Sequence, residues 1–361
     1  MTARALVLTA PRSFEAHDFP MPEVGEDDGL LRVEACGLCG TDHEQYTGDL
    51  FPGAPFIPGH EVVGVIEAVG PRAAERWQVA EGDRVAVEVF LSCRECGPCR
   101  AGEYRRCERH GLADMVGFVP TAREPGLWGG YAEHLYLAPD ALLLDVPSTL
   151  DPVVATLFNP LGAGIRWGVT LPGTGAGDVV AVLGPGIRGL SAAAAAKEAG
   201  AAFVLVTGTG RDAERLAVAP DFGADATVDV TAGDPAALLR REAGQLADVV
   251  VDVTARAPEA LGQAVALARP GGTVVLAGTR ASDETPGFSP DHLIYKELRL
   301  LGALGVDADA YRAALELLAS GKYPFSELPR RCVTLDGVEG LLQAMAGESS
   351  EAPPVHGVVT P

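Results

Sequence analysis

The chain is short of several things, and each shortage excludes something. It has few aromatic residues, 6% of the total, and no apolar run long enough to cross a bilayer, so no membrane-spanning helix is expected. The N-terminal stretch MTARALVLTAPRSFEAHDF lacks a long apolar core followed by a small-residue cleavage site, so no signal peptide is expected and the cytoplasm is the default location. There is no excess of positive charge. The net charge is -21, which repels phosphate backbones and disfavours general nucleic-acid binding. Lysine occurs only at 197, 296 and 322, no block of like charge stands out, and the acidity is read as a solubility feature. No internal repeat is visible. Cysteine is scarce, with seven in all, yet four of the seven fall between Cys93 and Cys107.

What is present fits an α/β protein. The 361 residues suffice for two domains, and 47% hydrophobic content supports a sizeable core. The first part is β-rich, with the short runs ALVLTA, GLLRVEACG, EVVGVIEAVG and DRVAVEVF punctuated by Gly, Pro and Asp. Near residue 150 the pattern changes. DVVAVLG, LSAAAAAKEAG, FVLVTG, ADVVVDVT, PEALGQAVALARPGG and TVVLAG alternate strand and helix character at the spacing of βαβ units. That predicts a doubly wound parallel sheet. Later, AYRAALELLASGKY reads as an amphipathic helix and HGVVTP as a short closing strand.

GPGIRG, residues 184–189, follows a strand and opens a helix, the context that makes a G-x-G-x-x-G pattern a dinucleotide site. Gly184 permits the tight turn, Gly186 lets a pyrophosphate approach the backbone, and Gly189 lets helix and strand pack closely, with Ile187 and Arg188 between. The next strand ends Thr207-Gly208-Thr209, with Arg211 close behind. A carboxylate is expected at that end to hold the ribose hydroxyls. Glycine there leaves room for a 2'-phosphate and Arg211 offers it a cation, which favours NADP while leaving NAD open. Thr254 and Gly278 end the two later strands and complete the expected cofactor contacts.

Cys93, Cys96, Cys99 and Cys107 follow a C-x2-C-x2-C-x7-C spacing with Gly97, Pro98 and Gly102 interspersed. Four thiolates in one loop close a tetrahedral zinc shell and leave no position for substrate. An iron–sulfur cluster is the rival. The long last interval, with no proline following, speaks against it, and disulfides are disfavoured in a reducing compartment. A second set, Cys39, His60 and Glu61, offers a thiolate, an imidazole and a carboxylate, the three ligands of an open catalytic zinc. Taken singly, Cys39 reads equally as a small buried apolar residue and His60 as a turn residue.

Together these residues make the chain resemble the zinc-dependent medium-chain alcohol dehydrogenases, in particular the polyol and threonine dehydrogenase-like branch. The resemblance covers essentially the whole chain and rests on CGTD at 39–42, GHE at 59–61, EAVG at 67–70, GDRV at 82–85, the four-cysteine loop and the glycine loop, in that order. It implies a β-rich, GroES-like catalytic domain over 1–155, completed by 296–361, with a Rossmann domain at 156–295 and the active site in the cleft between them. It implies Cys39 and His60 as catalytic zinc ligands, Glu61 as a ligand or exchanging carboxylate, Thr41 as the hydroxyl that passes the substrate proton on, and Asp42 as the carboxylate that orients His60. One catalytic and one structural zinc per chain follow, as does a homodimer or homotetramer paired through the dinucleotide-binding sheets.

Two positions depart from the pattern. Asn159 stands where the family places its last ligand, Glu or Cys. An amide oxygen is a poorer zinc ligand than either, so Cys39, His60 and Glu61 with water form the favoured set and Asn159 is a weaker candidate. Glu44 occupies the place where a relay histidine often lies, and His43 is one earlier. Phe90 is expected to line the pocket, with Phe118 and Trp128 as weaker candidates that are read first as packing residues. The expected activity is reversible hydride transfer between a primary or secondary alcohol, or a polyol, and NAD(P). A biosynthetic NADPH-dependent aldehyde or ketone reductase is the near alternative. A cofactor-binding protein that has lost the chemistry is the alternative of another class.

Overall fold

The computed structural model describes residues 1–51, 53–279, 285, 288–351 and 353–361. The chain divides into two compact units. The first comprises Met1–Asn159, Asp307–Gly321 and Phe325–Pro361; the second comprises Pro160–Val306 and Lys322–Pro324.

In the first unit the alternating runs become strands. β1 (Thr2–Ala10) and β2 (Ser13–Pro20) form an antiparallel hairpin. β3 (Gly29–Leu38), β4 (Glu61–Val69), β5 (Arg84–Val87), β6 (His134–Leu137) and β7 (Leu143–Asp145) enter a second, mostly antiparallel sheet. In β3 and β4 the β-branched and leucine side chains fill a core with Leu31, Val33, Val62, Ile66, Val85 and Leu135 at its centre.

The second unit is built on six parallel strands: β8 (Val179–Leu183), β9 (Phe203–Gly208), β10 (Ala226–Asp229), β11 (Ala247–Asp252), β12 (Ala268–Leu276) and β13 (Arg299–Gly302). Their order is β10-β9-β8-β11-β12-β13. The order reverses between β8 and β11, the switch point at which such sheets bind ligands beyond their carboxyl ends. Every residue of β8 is buried, as expected of a strand covered on both faces. The helix Ile187–Glu198 buries Gly189 through Ala196, and its alanine face permits close packing without loss of helix propensity.

The polypeptide then returns to the first unit. The helix Ala308–Ser320 is capped by Asp307, whose carboxylate accepts from Ala310 N at 3.0 Å, and it stops at Gly321 with φ +64. β14 (Arg330–Val333) and β15 (His356–Val359) complete the sheet in the order β14-β15-β3-β4-β5-β7, with β6 beside β3. One element differs from its sequence pattern. The helical run expected up to Gly272 ends at Leu267, and Ala268 to Gly272 already belong to β12. Pro270 holds Arg269 away from the helical region, so the chain turns extended early. Among the described residues no helix is long and apolar enough to cross a membrane.

Two candidate metal centres and a dinucleotide loop

The register of β3 and β4 builds the first centre. Gly37 lies opposite Glu61 and Cys36 opposite Val62, so the end of β3 and the start of β4 deliver Cys39 and His60 to one place. The Cys39 sulfur is 3.2 Å from His60 Nε2. Cys39 is the N-cap of the helix Gly40–Thr47, where the helix dipole favours a thiolate, and its backbone N–H donates to Asp42 Oδ2 at 2.8 Å. The other Asp42 oxygen faces His60 Nδ1 at 3.6 Å. The ring thus turns Nε2 to the sulfur and Nδ1 to the carboxylate, an arrangement in which an outer carboxylate orients a ligating histidine.

Cys39, Asp42 and His60 are all buried, and their donor atoms lie within 4.8 Å of one another. Asp42 Oδ1 and His60 Nδ1 have no hydrogen-bond partner among the described residues. A buried carboxylate beside a buried thiol and imidazole is costly unless a cation is shared among them, so the donor set fits a zinc ion.

Glu61 points elsewhere. Successive residues of an extended segment face opposite sides, and the Glu61 carboxylate lies over Gly37, where any side chain would collide with its Oε2. Thr41 is half-buried in the first helical turn. His43 is engaged by Glu348, with Nε2 and Oε1 2.9 Å apart; Arg12 and His43 hold that carboxyl down at about 2. Asn159 is buried and its Nδ2 donates to Tyr311 Oη at 2.9 Å. The Phe118 ring centre is 6.1 Å from that of His60, whereas Phe90 packs with Val89 and Tyr104. Trp128 lines a separate cavity of about 430 Å³ in this unit, with Tyr136, His110 and Asp140.

Two neighbours of this centre escape a reading of spacing. Cys36 is fully buried, and burial followed by the field of Asp42 pushes its thiol well up, so it stays protonated. Tyr131 is completely buried and its hydroxyl has no partner among the described residues. Burial and the nearby Asp42 raise its pKa. The only sequence trace of its placement is the Gly129–Gly130 pair before it, where side chains would strike Ile57 and Cys36.

The second centre is the four-cysteine loop. The four sulfurs lie within 4.8 Å of one another, and Cys93 and Cys99 are 3.8 Å apart. That is the edge of a tetrahedron with zinc–sulfur bonds of about 2.3 Å. No disulfide joins any of the seven cysteines. The backbone N–H groups of Cys96 and Glu95 pull the Cys93 thiol down to about 6, while burial pushes Cys99 up to about 12. Four thiolates therefore form together only around a cation, and the loop fits a closed zinc site. It is anchored by Tyr104, whose hydroxyl donates at 2.6 Å to the fully buried Glu88.

In the second unit, Gly184 follows β8 with φ +101 and Gly186 caps the helix that opens at Ile187. A Cβ on Gly189 would overlap the Gly184 carbonyl oxygen, so only glycine fits there. The N-terminal N–H groups of this helix are the anion-binding end. Arg188 stacks over Trp167 at 5.1 Å. Thr207 is buried and its carbonyl accepts from Gly184 N at 3.0 Å. Gly208 packs against Pro185 of the loop, with 3.0 Å between Pro185 Cγ and the point a Cβ would occupy. Thr209 binds Asp212 through both its N–H and its hydroxyl. Arg211 is exposed and has no ion-pair partner among the described residues. Thr254, fixed by Asp252 at 2.6 Å, and Gly278, closed against the Thr254 carbonyl, sit at the ends of β11 and β12 beside Gly184.

A mostly antiparallel sheet with two zinc-type donor sets and a parallel sheet with a dinucleotide loop define a zinc- and nicotinamide-dependent oxidoreductase. Comparison with known proteins agrees. Residues 25–148 match the alcohol dehydrogenase GroES-like domain and residues 189–320 the zinc-binding dehydrogenase domain. "Probable alcohol dehydrogenase adh" of Mycobacterium tuberculosis is 69% identical over 99% of this chain and 98% of its own length. Sorbitol dehydrogenase of Bacillus subtilis is 31% identical over 88% of this chain and 86% of its own. Among solved structures, a protein described as a zinc-binding dehydrogenase from Sinorhizobium meliloti 1021, bound to NADP, superposes with a TM-score of 0.83 at 30% identity over the full length of both chains. The chain belongs to the zinc-dependent medium-chain alcohol dehydrogenase family.

Proposed function

We propose that the chain oxidises a primary or secondary alcohol, polyols included, with NADP as the favoured coenzyme, using Cys39 and His60 as catalytic metal ligands. The observation that carries this is the buried Cys39–His60–Asp42 group, whose donor atoms lie within 4.8 Å of one another. Zinc bound there supplies Lewis-acid polarisation of the alcohol oxygen, and bound coenzyme supplies the hydride acceptor.

The rest is the work of the chain's own residues. The helix N-terminus at Cys39 favours the thiolate form that a metal binds, and Asp42 orients His60. Thr41 moves the substrate hydroxyl proton away. Glu61, whose carboxylate lies over Gly37, has to swing away from that position to serve as an exchanging carboxylate. Asn159, held by Tyr311, presents its carbonyl oxygen as the weaker candidate ligand. Gly184–Gly189 and the helix after them bind the pyrophosphate, with Thr207, Gly208, Thr209, Arg211, Thr254 and Gly278 around the nucleoside. Cys93, Cys96, Cys99 and Cys107 hold the structural zinc, and unbridged thiols suit a reducing cytoplasm.

A homodimer through the edge strand β13 is supported by Leu300, Leu304, Ile294 and Tyr295, which are exposed on or beside it. The intact Cys39, Asp42 and His60 group speaks against a protein that has lost its chemistry.

The test is metal content together with initial rates of coenzyme reduction against polyols and simple alcohols, with NADP and NAD in parallel. Two zincs per chain and turnover support the reading. One zinc and no turnover would replace it with the inactive alternative. Turnover confined to carbonyl reduction would favour the reductase.

A further inference from the structure

The strand that should end in a ribose-binding carboxylate, β9, ends instead in Gly208. The structure brings a carboxylate to that place from the next strand. β10 runs parallel to β9, and its last residue, Asp229, stands directly opposite Gly208. Asp229 is half-buried. Its Oδ1 accepts from the backbone N–H and the hydroxyl of Thr231, at 2.8 and 2.6 Å. Its Oδ2 lies 3.3 Å from the point where a Cβ on Gly210 would stand. The carboxylate therefore faces the turn Gly208–Gly210 across two positions that have no side chain to screen it. The Thr231 hydroxyl and N–H hold its pKa below the ordinary carboxylate range, so it is charged at neutral pH.

The other charges on this turn are accounted for. Asp212 is taken up by Thr209 and by Arg215, the latter at 3.3 Å. Arg211 and Asp229 remain, one cation and one anion without ion-pair partners among the described residues.

We propose that Asp229 is a specificity-determining residue for the coenzyme, supplying from β10 the ribose-recognition carboxylate that β9 lacks and opposing Arg211, so that the enzyme accepts both NAD and NADP. This rests on the dinucleotide reading of the Gly184–Gly189 loop. A carboxylate accepts a hydrogen bond from a ribose 2'-hydroxyl and repels a 2'-phosphate, whereas a guanidinium does the reverse. The coenzyme ratio is then set by the balance of two side chains on neighbouring strands. Position 208 alone does not set it.

The test is calorimetric titration of the zinc-loaded protein with NAD, NADP, adenosine 5'-monophosphate and adenosine 2',5'-bisphosphate. The variants are Asp229→Asn, Arg211→Ala and Thr231→Ala. Asp229→Asn is expected to shift the ratio of dissociation constants toward NADP, and toward the 2',5'-bisphosphate, on the order of tenfold. Arg211→Ala is expected to shift both ratios the other way. Thr231→Ala, which keeps the carboxylate and removes one of its anchors, is expected to leave them within about twofold. An unmoved ratio in Asp229→Asn overturns the proposal. A Thr231→Ala shift equal to that of Asp229→Asn also overturns it, because the effect would then belong to the turn. Failure of the wild-type protein to bind any of the four ligands would overturn the dinucleotide reading instead.

Discussion

The Cys39 sulfur lies 3.2 Å from His60 Nε2, although 21 residues separate the two. Nothing local forces that approach. It follows from the antiparallel register of β3 and β4, which sets Gly37 against Glu61 and leaves the residues beyond each strand end facing one another.

Removing either partner should therefore empty one site and spare the fold. Cys39→Ala is expected to lower the metal content from two zincs to one and to cut kcat/KM by about 10³ or more, with Tm nearly unchanged. Asp42→Asn keeps the shape of the orienting group and removes its charge. It should cost about 10- to 100-fold in zinc affinity or activity. Metal analysis alongside kinetics checks both, and full activity in Cys39→Ala would exclude it as a ligand.

The four-cysteine loop should respond in the opposite sense. Cys96→Ser opens a closed shell that organises fifteen residues of loop and is expected to cost about 3 kcal/mol or more of stability. Thermal unfolding with and without a chelator checks this. The variant should melt early and gain little from added zinc, while any protein that remains folded should keep the metal at Cys39 and His60.

Gly189→Ala tests the coenzyme loop alone. A methyl group there overlaps the Gly184 carbonyl, so the turn must open. Coenzyme dissociation constants should rise more than about tenfold, with both zincs retained. Unchanged binding would show that the loop is not the pyrophosphate site.

His356 predicts a pH dependence. It is fully buried, its Nδ1 accepts from Arg330 Nε at 2.9 Å, and its Nε2 meets Thr156 Oγ1 at 3.1 Å, so the ring must be neutral. Burial, and then the Arg330 charge, lower its pKa to about 3. The unfolded chain binds a proton near pH 6.5 that the folded chain refuses until about pH 3. The sign is therefore fixed: this contribution is complete above pH 6.5 and is lost as the pH falls toward 3, by a few kcal/mol in all. His356→Asn should be less stable at pH 8 and show a flatter decline below pH 6. An equally steep decline would mean that other groups carry it.

Much of this was legible beforehand, for physical reasons. The βαβ alternation was readable because strands buried on both faces need uninterrupted apolar runs such as VVAVL, and the glycine loop because only glycine fits beside the Gly184 carbonyl. Metal donor spacing was readable in the cysteine loop, where sequence neighbours are also spatial neighbours. It was less so around His60. Residues 60 and 61 are adjacent in the chain but face opposite sides, so the carboxylate within reach of His60 is Asp42, not Glu61. Asp229 gave no signal and Tyr131 only the Gly129–Gly130 pair before it, because each reaches its place through contact with a segment distant in sequence.

The strand that carries Cys39 has a neighbour from the far end of the chain. Val359 pairs with Cys36 and Gly357 with Leu38, so β15, the last strand, flanks β3 just ahead of Cys39. During synthesis, Cys39 and His60 leave the ribosome roughly three hundred residues before that flank exists. The edge of β3 beside Cys39 thus stays unpaired until the C-terminal strand is in place. A chain lacking β15 would keep every residue of the four-cysteine loop but leave the edge of β3 next to Cys39 unpaired.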